Sequence, residues 1–83
     1  MNDFERVEEI LAKPYSRVLV PEENGGYSAR MLEFKGCFAE GDTSEEALRN
    51  LESAAESWLL ACLDLGQPIP EPEVSFDDPR MVP

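Results

Sequence analysis

Apolar residues recur along this chain first at helical and then at alternating spacing, and each spacing predicts its own element. Near the start, Phe4, Val7, Ile10 and Leu11 fall on one helical face, with Glu5, Glu8 and Glu9 largely outside it. Asn2 or Asp3 supplies the N-cap, and Glu5 stands three residues after Asn2 as in a capping box. Lys13 suits a helix C-terminus and Pro14 stops the helix. Residues 15–20, Tyr-Ser-Arg-Val-Leu-Val, are strand formers closed by Pro21. Glu22-Glu23-Asn24-Gly25-Gly26 has turn chemistry, because Asn and Gly tolerate positive φ. In the run 27–34, Tyr27, Ala29 and Met31 alternate with Ser28 and Arg30, the pattern of a strand with one face buried. The two runs predict an antiparallel hairpin.

Lys35-Gly36 then makes a tight connection to a short third strand, 37–41. Cys37 and Ala39 share one face of it and Phe38 and Glu40 the other. Small residues on the inner face permit close approach of a helix, and a helix follows. Thr43-Ser44-Glu45-Glu46 is a capping box with acids at the positive end of the helix dipole. Leu48, Leu51, Ala55, Trp58, Cys62 and Leu65 form its predicted main stripe. Gly66 sits where a left-handed cap belongs and Pro68 prevents continuation. Such a helix, of roughly 22 residues, spans about 33 Å.

The second half of this helix, from Trp58 to Leu65, is apolar nearly all round, so every side of it needs a cover. The sheet covers one side. The N-terminal helix or a second subunit must cover the rest, which predicts Trp58, Leu59, Leu60 and Leu63 as oligomer contacts. After Gly66 the sequence Gln-Pro-Ile-Pro-Glu-Pro is held extended by its prolines. Residues 74–76 are a candidate short edge strand. The predicted fold class is α+β: a three-stranded antiparallel sheet packed on one long helix, with a short N-terminal helix. Along the chain this gives an N-terminal helical extension over 1–14, an α+β domain over 15–76 and a loose tail over 77–83.

Composition narrows the function. Eighty-three residues make one small domain. Eighteen acidic residues against seven basic ones give a formal charge of -11, and the pI is near 4.2. That balance argues against nucleic acid, whose affinity for proteins comes largely from Lys and Arg, and equally against an anionic membrane surface. There is no histidine, which removes every mechanism that needs an imidazole. No apolar run reaches the ~18–20 residues of a membrane-spanning helix. The N-terminus lacks the basic and apolar regions of a signal peptide, so the expected location is cytoplasmic. Cys37 and Cys62 could pair, but two buried thiols are the expectation, since free Cys is among the most buried residues. A core this small often gains stability by self-association, so a homodimer or higher homo-oligomer is expected.

Candidate chemistry is sparse. Asp42, Glu45 and Glu46 lie along one helix start and read as capping groups, whereas two-metal nucleases need carboxylates converging from several elements. Cys37 has no histidine to activate it as a nucleophile. No metal or cofactor is expected. Trp58 reads as a core or interface anchor. Phe38, on the sheet face opposite the helix and accompanied by Arg17 or Val18 depending on register, is a candidate partner contact with Glu40. Glu71, Glu73, Asp77 and Asp78, with Phe76 among them, could dock a basic partner.

Taken in order along the chain, Tyr27-Ser-Ala-Arg, Gly36-Cys37, Glu40-Gly41-Asp42-Thr43, Glu45-Glu46-Ala47-Leu48, Trp58-Leu59 and Gly66-Gln-Pro-Ile-Pro-Glu-Pro resemble the HicB-like antitoxins of type II toxin–antitoxin pairs. The resemblance covers about residues 15–72. It implies a partial ribonuclease-H-like fold, and it implies binding without catalysis. HicB-like proteins cover the active surface of a small basic mRNA-cleaving toxin, a HicA-like ribonuclease, and opposite net charges raise encounter rates. Many members append an operator-binding module. About ten residues follow the Pro-rich stretch here, too few for one. Two rivals remain: an orphan oligomerisation or ligand-sensing module with no toxin, and a residual metal-dependent nuclease.

Overall fold

Two side-chain caps set where the helices begin. In the computed structural model, which describes residues 2–73, helix α1 (Asp3–Leu11) starts at Asn2, whose Oδ1 accepts the Glu5 backbone N–H at 2.9 Å. Helix α2 (Ser44–Leu65) starts at Thr43, whose hydroxyl accepts the Glu46 N–H at 3.1 Å. It ends at Gly66 with φ 68°, where the Gly66 and Gln67 N–H groups donate to the carbonyls of Leu63 and Cys62. Both helices were legible from these residue types.

Between the helices lie β1 (Arg17–Pro21), β2 (Tyr27–Met31) and β3 (Phe38–Gly41), an antiparallel sheet in the order β1-β2-β3. The register places Leu19, Ala29 and Ala39 in one row on the inner face, beside Arg17 and Met31. Val18, Arg30 and Phe38 form one outer row, and Val20, Ser28 and Glu40 the next. Val18 is therefore the companion of Phe38. Arg17 points the other way, and its Nε donates to Glu52 of α2 at 2.6 Å.

α2 lies mainly over β3 and β2 and touches β1 only at its margin. Small residues allow this close seat. A Cβ on Gly41 would stand 2.5 Å from the backbone nitrogen of Ala47, so only glycine fits there. Ala29, Ala47, Leu51, Ala55 and Leu59 are buried at the contact, with Met31 and Phe34 the largest core side chains beside Leu51 and Leu59. α1 packs against α2 and not against the sheet, contributing buried Val7 and half-buried Ile10 and Leu11.

Several boundaries differ from the sequence expectation. β1 begins at Arg17, not residue 15, because Tyr15 turns into the core and its N–H donates to Lys13 O. β2 ends at Met31, not residue 34. The chain then loops through 32–37, with Gly36 at φ 82°, and swings Phe34 fully inside, where a continued strand would have pointed it outward. The Phe34 ring stacks on Trp58 (centroids 4.5 Å, 9° between planes) and tilts against Tyr15 at 4.7 Å. The α2 stripe keeps three of its expected members, Leu51, Ala55 and Cys62, all buried, but is rotated so that Ala47 and Leu59 join them, while Leu48 and Trp58 are half-buried and Leu65 is 68% exposed. Phe4, expected on the inner face of α1, is 67% exposed and lines an open groove opposite Glu52 and Glu56. The candidate strand at 74–76 and the tail over 77–83 lie outside the described residues.

The Gly41–Ala47 contact yields a direct expectation. G41A forces the start of α2 off β3, since the clash is with backbone, and should lower stability by about 1–3 kcal/mol. Urea unfolding followed by Trp58 fluorescence measures this, and an unchanged midpoint would contradict the packing described.

Candidate binding surfaces

Three surface features follow from this packing. The first is the outer face of the sheet, on which neither helix packs. Phe38 is 65% exposed there, with Val20 exposed and Val18 half-buried. The second is an open depression of about 970 Å³ between the β1–β2 turn and the β3–α2 junction. Its walls carry Glu22, Glu23, Glu40 and Asp42, together with Tyr27. The turn that places Glu22 and Glu23 is fixed locally: Asn24 Oδ1 accepts the Gly26 N–H at 3.0 Å, and Gly25 takes φ 93°.

The third feature is the extended segment 67–73, a strap tied back across the molecule. Tyr15 Oη donates to Pro70 O at 2.6 Å, Lys13 pairs with Glu71 at 3.3 Å, and half-buried Ile69 joins the core. The firmest tie is Glu33, only 6% exposed, whose carboxylate oxygens accept the backbone N–H groups of Ser16 (3.1 Å) and Glu73 (3.0 Å). One buried carboxylate thus joins the entry to β1, the loop after β2 and the strap. Burial raises the Tyr15 phenol above its ordinary value of 10.0, and the nearby Glu71 and Glu33 carboxylates add to the rise.

The expected site residues fall into separate groups. Phe38 and Glu40 share the outer face of β3, and Glu40 also reaches the acidic depression. Glu71 and Glu73 lie on the strap, where the first meets Lys13 and the second is held through its backbone. Phe76, Asp77 and Asp78 lie outside the described residues. The four residues expected at an oligomer contact do not form an exposed face. Leu59 is fully buried, Trp58 donates its Nε1–H to Lys35 O at 3.0 Å, and Leu60 and Leu63 are half-buried against the core. The rotated stripe, with α1 and the Phe34 loop, covers much of what the sequence left bare.

Sequence reasoning missed Glu33 and the depression. Glu33 continues the inward phase of Tyr27, Ala29 and Met31, and an acid in that phase was the available signal. Glu22, Glu23 and Asp42 carry, in sequence, only the signals of a turn and a helix cap.

Both cysteines are free and buried, and burial raises the Cys37 thiol above its ordinary value of 9.0. Among the described residues every buried side-chain nitrogen and oxygen has a partner, and no three His, Cys, Asp or Glu side chains gather as a metal-holding group. No helix among them is long and apolar enough to cross a membrane.

A small acidic α+β unit with open surfaces, rather than an enclosed pocket, is the class these observations define. The chain belongs to the UPF0150-like family, whose model matches residues 16–70. Two curated relatives, both from Synechocystis sp. (strain ATCC 27184 / PCC 6803 / Kazusa), show the same kinship. UPF0150 protein ssr1765 is 37% identical over 60 residues, covering 72% of this chain and 76% of the relative. UPF0150 protein ssl0259 is 31% identical over 68 residues, covering 82% and 93%. No solved structure gives a significant match. Helix α1 precedes the matched region.

Two measurements test the strap. E33A strands the N–H groups of Ser16 and Glu73 and should cost on the order of 1–3 kcal/mol, with faster hydrogen exchange at both amides. Unaltered exchange would contradict the latch. The raised Tyr15 and Cys37 values mean that the folded chain keeps protons the unfolded chain releases. Stability should therefore hold below the ordinary thiol and phenol values, 9.0 and 10.0, and fall as pH rises through the higher folded ones. Y15F should flatten the upper part of that decline in thermal melts, and an identical decline would exclude the phenol as its source.

Proposed function

We propose that this chain is a HicB-like antitoxin that binds and occludes a small basic mRNA-cleaving ribonuclease and performs no chemistry of its own. In this reading the sheet and long helix are the partial ribonuclease-H-like unit of that family. The observation that carries it is charge: -11 over 83 residues, displayed on open surfaces such as the depression under Glu22, Glu23, Glu40 and Asp42. A ribonuclease must present cations to hold phosphates, and an acidic cover competes for those cations. UPF0150-like membership and the ordered motifs support the same reading. With no histidine in the sequence, no imidazole base is available for RNA cleavage, and the role proposed is occlusion. The rival, an orphan oligomerisation or ligand-sensing module, draws support from the apolar outer sheet face.

Co-expression with a short basic protein, should an adjacent reading frame encode one, tests the proposal. The expected result is a complex that silences RNA cleavage at equal stoichiometry and weakens as salt rises from about 0.05 M to about 0.5 M. Reversing Glu22 and Glu23 to Lys should slow association about tenfold. A basic neighbour that cleaves RNA equally well with and without this chain would overturn it.

A further inference from the structure

The acidity is not spread evenly, and the exception is the outer sheet face. Its two strand rows, Val18–Arg30–Phe38 and Val20–Ser28–Glu40, hold one cation and one anion between them. Leu32 extends the apolar strip, since its N–H still donates to Ser16 O and its side chain is exposed. In a protein with eighteen acids and seven bases, this surface is charge-balanced and largely apolar. A cationic partner gains no excess negative charge here, whereas a copy of the same surface does find its complement.

We propose that the outer face of the sheet is the contact for a second copy of this chain. A two-fold axis lying between two such faces and running across the strands sets the Val18–Arg30–Phe38 row of each copy over the Val20–Ser28–Glu40 row of the other. Valines then meet valines, and each Arg30 reaches the neighbouring copy's Glu40 in two equivalent pairs, as an isologous contact requires. The strands have four and five residues, so each face measures roughly 17 Å by 14 Å. That is well below the ~800 Å² per partner of a standard interface, so the dimer is weak and reversible. Two bodies of charge -11 also repel. Salt screens that repulsion, and self-association should strengthen as salt rises, opposite to the response of a complex with a basic protein.

Sedimentation of the full chain tests this. The wild type should show a monomer–dimer equilibrium that shifts toward dimer between about 0.05 M and about 0.5 M salt. R30E and E40R should each weaken the dimer at least tenfold, by placing like charges opposite each other, with far-UV circular dichroism unchanged because both side chains are exposed. An equimolar mixture of R30E and E40R should recover a heterodimer, since both cross-contacts then pair opposite charges. F38S, which removes the apolar anchor without touching charge, should weaken association at every salt concentration. A wild type that stays monomeric throughout, single variants that dimerise like the wild type, or a mixture that stays monomeric would each overturn the proposal.

Discussion

The close seat of α2 on β3 and β2 is the constraint from which the rest of the molecule follows. It exists because the facing positions are small: Ala29 in the sheet, Ala47 and Ala55 on the helix, and Gly41 where no Cβ fits. Dispersion contacts and the exclusion of water both depend on such an approach. Around this contact the polar ties are few and well placed. Asn50 Nδ2 donates to Glu40 O, Trp58 to Lys35 O, and Arg17 to Glu52, so α2 is fastened to each margin of the platform.

A single helix cannot cover a three-stranded sheet, and the uneven cover produces the surfaces. With α2 displaced toward β3, the inner face of β1 is partly open and Leu19 stays exposed. The outer face is left to the solvent by both helices. The acids, meanwhile, gather on the turn, the helix starts and the outer sides of the helices, where solvation and the helix dipole favour them. The fold therefore sets two kinds of surface side by side, a strongly negative one and a balanced apolar one, with Glu40 on their border.

Much of this was legible along the chain, for physical reasons that differ by element. The caps at Asn2, Thr43 and Gly66 are local chemistry, and local chemistry reads directly from residue type. Strand alternation in Tyr27, Ala29 and Met31 fixed the inner face, and the small residues announced a close helix. What did not read was the tertiary choice between equally apolar candidates. Leu48, Trp58 and Leu65 looked as good for the buried stripe as Ala47 and Leu59. The structure buries Ala47 and Leu59 and leaves Trp58 half-buried with the Phe34 ring stacked on it. The loop over 32–37 broke the alternation because Phe34 gains more by entering the core than by extending a strand. Glu33 was invisible as a latch because its partners, Ser16 and Glu73, lie 17 and 40 positions away. Of the partner-binding candidates, Phe38 and Glu40 are exposed, and of the expected oligomer contacts Leu59 is buried within the monomer while Trp58, Leu60 and Leu63 are half-buried.

The central claim is that the acidic surface, and not the sheet face or an internal site, engages a basic ribonuclease. Side-chain and backbone chemical-shift mapping by NMR, with the basic partner titrated into labelled protein, tests it most directly. The account predicts that the largest shifts fall on acidic positions such as Glu22, Glu23 and Asp42, while the methyl groups of Val18 and Val20 and the ring of Phe38 keep their resonances. Shifts concentrated on Val18, Val20 and Phe38, with the acidic turn undisturbed, would contradict it.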